Sequence, residues 1–269
     1  MVQRKVAKAT ASVQASAEAG APKRLIAESA YQKLSAAVAG TIRDDGGNAA
    51  VAVDDLTTGT SVAYNGAKEF ITASIVKVDI LSTLLYQLQQ AGQPISGEQQ
   101  ELAATMIENS DNDSASDLYY DDNGSAGIDA ANRLFGLRAT TAGTGGYWGL
   151  TTTTAVDQIR LLRQVFATSS VLSPASRSFI QGLMSDVEGD QRWGVSAAAD
   201  GGTDPMVKNG WLPDPYLWEI NSIGEVIHDR QRILIAVLSD DNASEDSGIS
   251  VVESVAEKAA DAIAAADRK

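Results

Sequence analysis

Hydrophobic and polar positions follow two different periods along the chain, and the changes of period divide it into thirds. Apolar residues recur every four positions within residues 22–40, which predicts a helix that stops at Gly40. Two strand-like runs follow, NAAVAVDDL and TSVAYN, with a predicted hairpin at the TTG between them. The helical period returns from Ile75 to about Leu88, and Gly92 and Pro94 end it.

The middle of the chain remains helical, whereas the last third changes to strand patterns. Further helices are predicted over residues 98–119, 127–135, 153–167 and 174–185. Three strand-like runs come next: DPMVKNG, YLWEINSIG and QRILIAVLSD. The unbroken apolar run at 233–238 favours a central strand covered on both faces. A closing helix is predicted over residues 248–265.

This order of elements predicts an α/β (α+β) fold, with an antiparallel sheet flanked by helices and an all-helical lobe inserted into it. The predicted boundaries are a flexible N-terminal tail at 1–21, a first part of the α/β lobe at 22–66, the helical lobe at 67–189 and a second part of the α/β lobe at 190–269. Together they form one domain, and a cleft between the lobes is a natural place for a site.

Composition removes several classes of function. The formal net charge of −14 disfavours binding to nucleic acid or anionic membranes. The absence of cysteine excludes thiol catalysis and disulfides, and the single histidine, His228, excludes a multi-histidine metal site. The sequence around His228 favours a solvent-facing turn, so acyl-transfer chemistry would need another base. The start of the chain has no continuous apolar core, so either the protein stays inside the cell or the chain begins after a cleaved segment.

Ser74 and Lys77 begin the apolar helix, in ITASIVKVDILSTLL. A spacing of three places both side chains on one helix face, and the helix start offers free N–H groups for an oxyanion. A lysine whose pKa is lowered by burial could take the proton of the serine. The alternative is an N-capping serine and an incidental exposed lysine, because this spacing is expected by chance about once in such a chain.

Ser110, Asp111 and Asn112 separate two helical patterns in MIENSDNDSASDLYY. A turn at this position would present a second hydroxyl to relay a proton and an amide to bind a peptide-like carbonyl. The alternative is a simple loop or helix cap, since short polar triplets are common between helices.

Lys208, Asn209 and Gly210 end the strand-like run DPMVKNG. The lysine could bind a substrate carboxylate, and the glycine would let the backbone approach a ligand. The alternative is a hairpin turn, because Asn-Gly is the strongest short signal for one. The two interpretations are compatible.

Together the three motifs resemble the signature of the class A β-lactamase and penicillin-binding-protein superfamily. The resemblance runs from about Pro22 to the C-terminus, and the Thr-rich stretch TTTTAVDQIRLLRQVF resembles the helix start that follows the omega loop of class A enzymes. It implies that Ser74 is the acylated nucleophile and Lys77 its general base. Ser110 would pass the proton to the leaving group, and Asn112 would bind the substrate's amide. These roles are expectations at this stage.

The same resemblance implies that Lys208 supplies positive charge to Ser110 and to a substrate carboxylate. Asn209 and Gly210 would belong to the substrate-binding strand. The oxyanion hole would consist of the backbone N–H groups of Ser74 and Trp211, of which either one is typically worth about 10²–10³ in rate.

The chain departs from the class A pattern in the stretch that should carry a water-activating glutamate. Residues 137–154, LRATTAGTGGYWGLTTTT, contain no carboxylate, and the connection between Lys77 and Ser110 is short. Asn209 also replaces the usual threonine or serine. These departures imply poor β-lactam hydrolysis and a more open cleft. Five aromatic residues either line this cleft or pack between the lobes: Tyr147, Trp148, Trp211, Tyr216 and Trp218. The acidic run at 117–124 is interpreted as a solvated face.

The leading hypothesis is a serine acyl-hydrolase or acyltransferase that acts on peptide-like amides or esters through an acyl-Ser74 intermediate. The alternatives are a class A-type β-lactamase with a non-standard deacylating base and a peptide-binding or penicillin-binding sensor without turnover. No metal or organic cofactor is expected. The expected partner is a small peptide-like, ester or β-lactam substrate, with no nucleic acid, no membrane insertion and a monomeric chain. The resemblance implies an extracytoplasmic location, although a cytoplasmic one stays open.

Overall fold

The computed structural model describes residues 24–25, 28–214 and 216–267, so the predicted tail at 1–21 lies outside the described residues. The described helices are α1 Glu28–Asp45, α2 Val76–Ala91, α3 Gly97–Glu108, α4 Asn112–Asp121, α5 Gly124–Phe135, α6 Ala155–Phe166, α7 Pro174–Ser185 and α8 Glu245–Asp267. The strands are β1 Arg24–Leu25, β2 Asn48–Asp55, β3 Thr60–Tyr64, β4 Glu69–Ile71, β5 Thr152–Thr154, β6 Met206–Asp214, β7 Leu217–His228 and β8 Gln231–Asn242.

The main sheet has six strands in the order β1-β3-β2-β8-β7-β6. Its pairs are antiparallel except for the short parallel pair β1–β3. β8 lies between β2 and β7, and its apolar run at 233–238 is fully buried, as the continuous run predicts. α8 and α6 both pack against β2, β7 and β8, which covers the sheet on both faces. The predicted α/β fold with its antiparallel sheet is confirmed.

The helix α2 runs through the middle of the helical part, where it contacts α3, α4, α5 and α7. Every residue from Val76 to Leu85 is buried, including the polar positions of the helix. The apolar period therefore predicts the helix correctly, but it does not predict that the polar residues of the helix, including Lys77 and Asp79, are also buried. Among the described residues, no helix is long and apolar enough to span a membrane.

Several predicted boundaries differ from the structure. The helix predicted at 22–40 begins only at Glu28, after the short strand β1. The pattern at 98–119 is two helices, because residues 109–111 leave the helical path and Ser110 has a left-handed φ of 58°. Asn209 and Gly210 lie inside β6, so the hairpin-turn alternative is wrong. The short strands β4 and β5 were not predicted, because three residues give too little periodicity.

The acidic run at 117–124 is not wholly a solvated face. The carboxyl group of Asp122 is fully buried, and both of its oxygens lack a hydrogen-bond partner among the described residues. Asp79 on α2 is also buried and accepts a hydrogen bond from Asn132 Nδ2 at 2.9 Å. Burial raises the pKa of Asp79 to about 7. Burial, with a smaller effect from Asp79, raises the pKa of Asp122 well above its usual range.

The Asp79→Asn variant is expected to gain stability relative to the wild type as the pH rises. Asp79 stays protonated in the folded state while its unfolded counterpart ionises near pH 4, so its contribution to stability falls between about pH 4 and 7. The difference in unfolding free energy should grow by about 2–3 kcal/mol between pH 5 and 8. Urea denaturation at several pH values measures it. The exposed Asp117→Asn is the control, and a difference that does not change with pH would contradict the prediction.

Candidate active site

Ser74 lies in a tight turn between β4 and α2. The turn consists of Thr72 and the short 3₁₀ helix Ala73–Ile75, and Ala73 has a left-handed φ of 46°. A non-glycine residue in this conformation costs on the order of 1–3 kcal/mol and persists only where the surroundings hold it. Ser74 is partly exposed and makes no capping hydrogen bond to the start of a helix. The N-cap alternative for this serine is therefore wrong.

Two strands of the sheet, β7 and β6, contact this turn directly. Asn221 on β7 is fully buried, and its amide donates to the carbonyl oxygens of Ile71 at 2.9 Å and Thr72 at 3.1 Å. On β6, a Cβ added to Gly210 would lie 2.7 Å from the backbone nitrogen of Ser74 and 2.8 Å from Thr72 O. Only glycine fits this close approach to the Ser74 turn. The predicted approach of this strand to a ligand stays a prediction.

The Lys77 amine is buried among oxygen atoms. Its Nζ lies 3.0 Å from Ser74 Oγ, 2.6 Å from Ser110 O, 3.1 Å from Ser110 Oγ and 2.8 Å from Asn112 Oδ1. Its side chain is fully buried, so the exposed-lysine alternative is wrong. Burial lowers the pKa of Lys77 to about 7, against the smaller opposing effect of the Asp111 carboxylate. The neutral amine, which can accept a proton, is therefore well populated near neutral pH.

Ser110 lies between two lysines because it occupies a turn between α3 and α4. Asp111 caps α4, since its carboxylate accepts from Ser114 N at 2.7 Å, and this cap fixes the direction in which the turn enters the helix. Lys208 Nζ lies 3.1 Å from Ser110 Oγ, on the same hydroxyl that Lys77 contacts. Burial and the Lys77 charge lower the pKa of Lys208 well below its usual range.

Asn209 does not join this group of residues. Its side chain is buried, and its amide donates to Gln191 O at 2.7 Å and Trp193 O at 2.9 Å. Side chains alternate along a strand, so a residue next to Lys208 points to the other face of the sheet. The prediction that the Asn209 side chain binds substrate therefore disagrees with its position. Trp211 follows Gly210 on β6, and its ring packs edge-on against Trp193 at 6.0 Å.

The stretch at 137–154 lies on the other side of Ser74 and is hydrogen-bonded to the turn that carries this serine. β5 pairs with β4, and Thr72 N donates to Thr151 O at 2.9 Å. The Trp148 ring lies over Lys77, with 5.0 Å between its centroid and Nζ, and Trp148 Nε1 donates to Ser116 Oγ at 3.1 Å. An indole thus lies over the amine in a stretch that has no carboxylate. From the sequence, Trp148 is predicted only as a cleft-lining or core aromatic residue.

The remaining aromatic residues divide between surface and site. Tyr147 and Tyr216 are 70% and 92% exposed, so packing between lobes does not account for them. Trp211 and Trp218 are half-buried.

His228 lies at the end of β7, where Nδ1 is 2.7 Å from Ala198 O and Nε2 is 3.3 Å from Asp261. It is half-buried rather than in a solvent-facing turn, and it takes no part in the Ser74 group. No cluster of three or more metal-ligating side chains occurs within the described ranges.

The Asn221→Ala variant is expected to lose stability and to react more slowly at Ser74. The substitution leaves the carbonyls of Ile71 and Thr72 without their buried donor, which should lower the unfolding free energy by about 1–3 kcal/mol. The turn that carries Ser74 should then sample non-reactive geometries. Denaturation and the rate of adduct formation at Ser74 measure the two effects.

Asn242→Ala is the comparator, because Asn242 is equally buried but bonds to Trp218 O and Ser239 Oγ rather than to the carbonyls of Ile71 and Thr72. It should lose similar stability and keep its reaction rate. If Asn221→Ala also kept its rate, Asn221 would have no part in holding the nucleophile.

Comparisons with known proteins find relatives of this chain in both sequence and structure. A family model described as the beta-lactamase enzyme family matches residues 31–100 and 88–263. The protein named "Putative lipoprotein LppW" of Mycobacterium tuberculosis (strain ATCC 25618 / H37Rv) is 30% identical over 175 residues, which are 62% of this chain and 55% of LppW. The chain thus spans about half the length of the curated relatives it matches.

Solved structures share the fold. A class A β-lactamase from Bacteroides cellulosilyticus DSM 14838 superposes with a TM-score of 0.75 at 17% identity, covering 88% of this chain and 99% of that chain. A point mutant of PBP-A, in an acyl-enzyme complex with penicillin G, superposes with a TM-score of 0.76 at 20% identity, covering 91% and 99%. The fold is that of serine hydrolases of the β-lactamase type, and because the family model matches most of its length, the chain belongs to the beta-lactamase enzyme family.

Proposed function

We propose that the protein is a serine acyl-hydrolase or acyltransferase that forms an acyl ester on Ser74 from peptide-like amides, esters or β-lactams. The observation that carries this proposal is the position of Lys77 Nζ, 3.0 Å from Ser74 Oγ and 3.1 Å from Ser110 Oγ. A buried amine whose pKa is lowered to about 7 has the proton affinity that a general base needs at neutral pH.

In the first half-reaction, neutral Lys77 takes the proton of Ser74 while Oγ attacks the carbonyl carbon of the substrate. The carbonyl oxygen becomes an oxyanion, which the backbone N–H groups of Ser74 and Trp211 would stabilise. The protonated Lys77 then returns its proton through the Ser110 hydroxyl to the leaving nitrogen or oxygen as that bond breaks. Lys208 Nζ, 3.1 Å from the same hydroxyl, would donate a hydrogen bond to Ser110 Oγ during this relay, which an amine can do in either protonation state.

The second half-reaction needs an acceptor for the acyl group. The stretch at 137–154 supplies no carboxylate to activate water, and an indole lies over Lys77 instead. Slow hydrolysis, or transfer to an amine that brings its own nucleophilicity, follows from this arrangement. Asn112 lies at the exposed start of α4, and its Oδ1 accepts from Lys77 at 2.8 Å. In this proposal Asn112 would contact the substrate's amide.

We also propose an extracytoplasmic location for this activity. A mycobacterial relative carries the name "Putative lipoprotein LppW", and this relationship supports a place outside the cytoplasm. The net charge of −14 supports a small-molecule or peptide substrate over nucleic acid.

Intact mass spectrometry after exposure to benzylpenicillin and to a fluorophosphonate tests the proposal. The wild type should gain the full mass of ring-opened benzylpenicillin, and with the fluorophosphonate it should gain the phosphonyl group after loss of HF. Ser74→Ala should gain neither. Ser244→Ala, which removes an exposed serine at the start of α8, is the matched control and should behave as the wild type. A native protein that forms no adduct with either reagent would rule out an acyl-Ser74 intermediate.

The same samples separate the two rival functions. Fast steady-state hydrolysis of a chromogenic cephalosporin that disappears in Ser74→Ala would favour a β-lactamase with another deacylating group. A penicillin adduct that persists, together with no turnover of any peptide or ester, would favour a binding or sensor module.

A further inference from the structure

We propose that Trp148 is a positioning residue for acyl transfer, whose indole ring closes the Lys77 amine off from solvent so that Ser74 and Ser110 are its partners in proton exchange. This inference rests on the proposed function of Ser74 and Lys77. It adds a residue that none of the three motifs contains.

Contacts around the amine support this role. Three polar side chains and one backbone carbonyl occupy hydrogen-bonding directions of Lys77 Nζ, from Ser74, Ser110 and Asn112. The Trp148 ring lies 5.0 Å away over the same atom, and Lys77 is left with no exposed surface. An aromatic face attracts a cation but cannot accept its proton. The ring therefore holds the amine in place without competing with Ser74 for the proton.

Trp148 itself is held from two sides. Its Nε1 donates to Ser116 Oγ at 3.1 Å, and that hydroxyl donates to Asn112 O at 2.9 Å, which joins the indole to the first turn of α4. Its carbonyl oxygen accepts from Thr151 Oγ1 at 2.7 Å, next to the Thr151–Thr72 bond that reaches the nucleophile's turn. A ring fixed at both its backbone and its side chain can define the position of a flexible lysine.

Removal of the ring should change the protonation of Lys77 in a predictable direction. The charged groups that bear on Lys77 are Asp111 and Lys208, and neither changes when Trp148 is replaced. Burial is the largest cause of the lowered pKa of Lys77, and water admitted by a smaller side chain relieves it. The loss of the aromatic face acts in the opposite direction, and we expect the relief of burial to outweigh it because burial is the largest cause of the lowered pKa. The pKa of Lys77 should therefore rise.

The test is the pH dependence of Ser74 acylation by a fluorophosphonate in the full chain, measured for the wild type, Trp148→Ala and Trp148→Phe. In Trp148→Ala the midpoint of the profile should move upward by about one unit or more, with slower acylation at pH 7. Trp148→Phe keeps an aromatic face but loses the Nε1 bond to Ser116, so its midpoint should lie between those of the wild type and Trp148→Ala. Leu150→Ala, in the same short turn but with an exposed side chain, is the matched control and should leave the profile unchanged.

Thermal denaturation of each variant distinguishes an unfolded loop from a local change. If Trp148→Ala does not fold, Ser116→Ala, which removes only the hydroxyl that holds the indole, should give the same upward shift at reduced size. An unshifted midpoint in a folded Trp148→Ala or Ser116→Ala variant would overturn the role of Trp148. A wild type that Ser74 reagents do not label would instead overturn the proposed function.

Discussion

Replacement of Lys77 by methionine is expected to slow the acylation of Ser74 by about 10²–10⁴-fold, the usual contribution of a positioned general base. Methionine has a similar length and fills the same buried space, but it cannot accept the proton of Ser74, whose Oγ lies 3.0 Å from Lys77 Nζ in the wild type. The wild-type rate should rise as the pH increases through about 7, because only the neutral amine acts as the base. The variant should lose both the rate and this rise.

Time-resolved mass spectrometry with a fluorophosphonate measures both quantities. Lys68→Met is the control, because Lys68 is an exposed lysine that pairs with Asp240 at 3.0 Å on the other side of β4 from the nucleophile turn. A thermal melt of each variant shows whether the fold is retained. If Lys77→Met kept the wild-type rate and pH profile, the base would have to be sought elsewhere, and Lys208 would be the next residue to replace.

Gly210→Ala is the second variant with a large expected effect. The added methyl group would lie 2.7–2.8 Å from three backbone atoms, of Thr72, Ser74 and Ile75, and backbone atoms cannot rotate away as a side chain can. β6 and the nucleophile's turn must therefore separate. Acylation should fall by about 10²–10³-fold, the effect of losing one oxyanion donor. The unfolding free energy should fall by about 1–3 kcal/mol, as for other overpacked sites.

Gly201→Ala is a matched control, because a Cβ at Gly201 meets no atom within 4 Å. It should react and unfold as the wild type does. A Gly210→Ala variant that was destabilised yet acylated normally would show that the approach of β6 serves packing alone and leaves the oxyanion site intact.

The sequence was most informative where one local property determines the structure. The unbroken apolar run of β8 predicts a strand covered on both faces, and the four-residue period of α2 predicts its helix. Motif spacing brought out Ser74, Lys77, Ser110 and Lys208, which the structure places within one hydrogen-bonded group. Helical spacing and the cap at Asp111 depend on residues a few positions apart, so both can be predicted without knowledge of the tertiary fold.

Features that depend on distant contacts could not be predicted in this way. The motif groups Lys208 and Asn209 in one site. In the strand their side chains point to opposite faces of the sheet, and the Asn209 amide donates to the carbonyls of Gln191 and Trp193. The burial of Asp122 within a polar run depends on how α4 packs against its neighbours. Asn221 and Trp148 contact residues about 70–150 positions away in the chain, and no local pattern marks them.

The pairing of β5 with β4 has a mechanical consequence for the cleft. Thr72 N donates to Thr151 O, and Thr141 and Thr152 exchange backbone hydrogen bonds next to it. Together with the β4–β5 pairing, these bonds join the stretch at 137–154 to the turn that carries Ser74. A loop attached in this way cannot swing open while Ser74 stays in place. Any opening of this loop that admits a bulkier substrate must also loosen the turn that carries Ser74. Under the proposed function, the size of the substrate would therefore be coupled to its rate of acyl transfer.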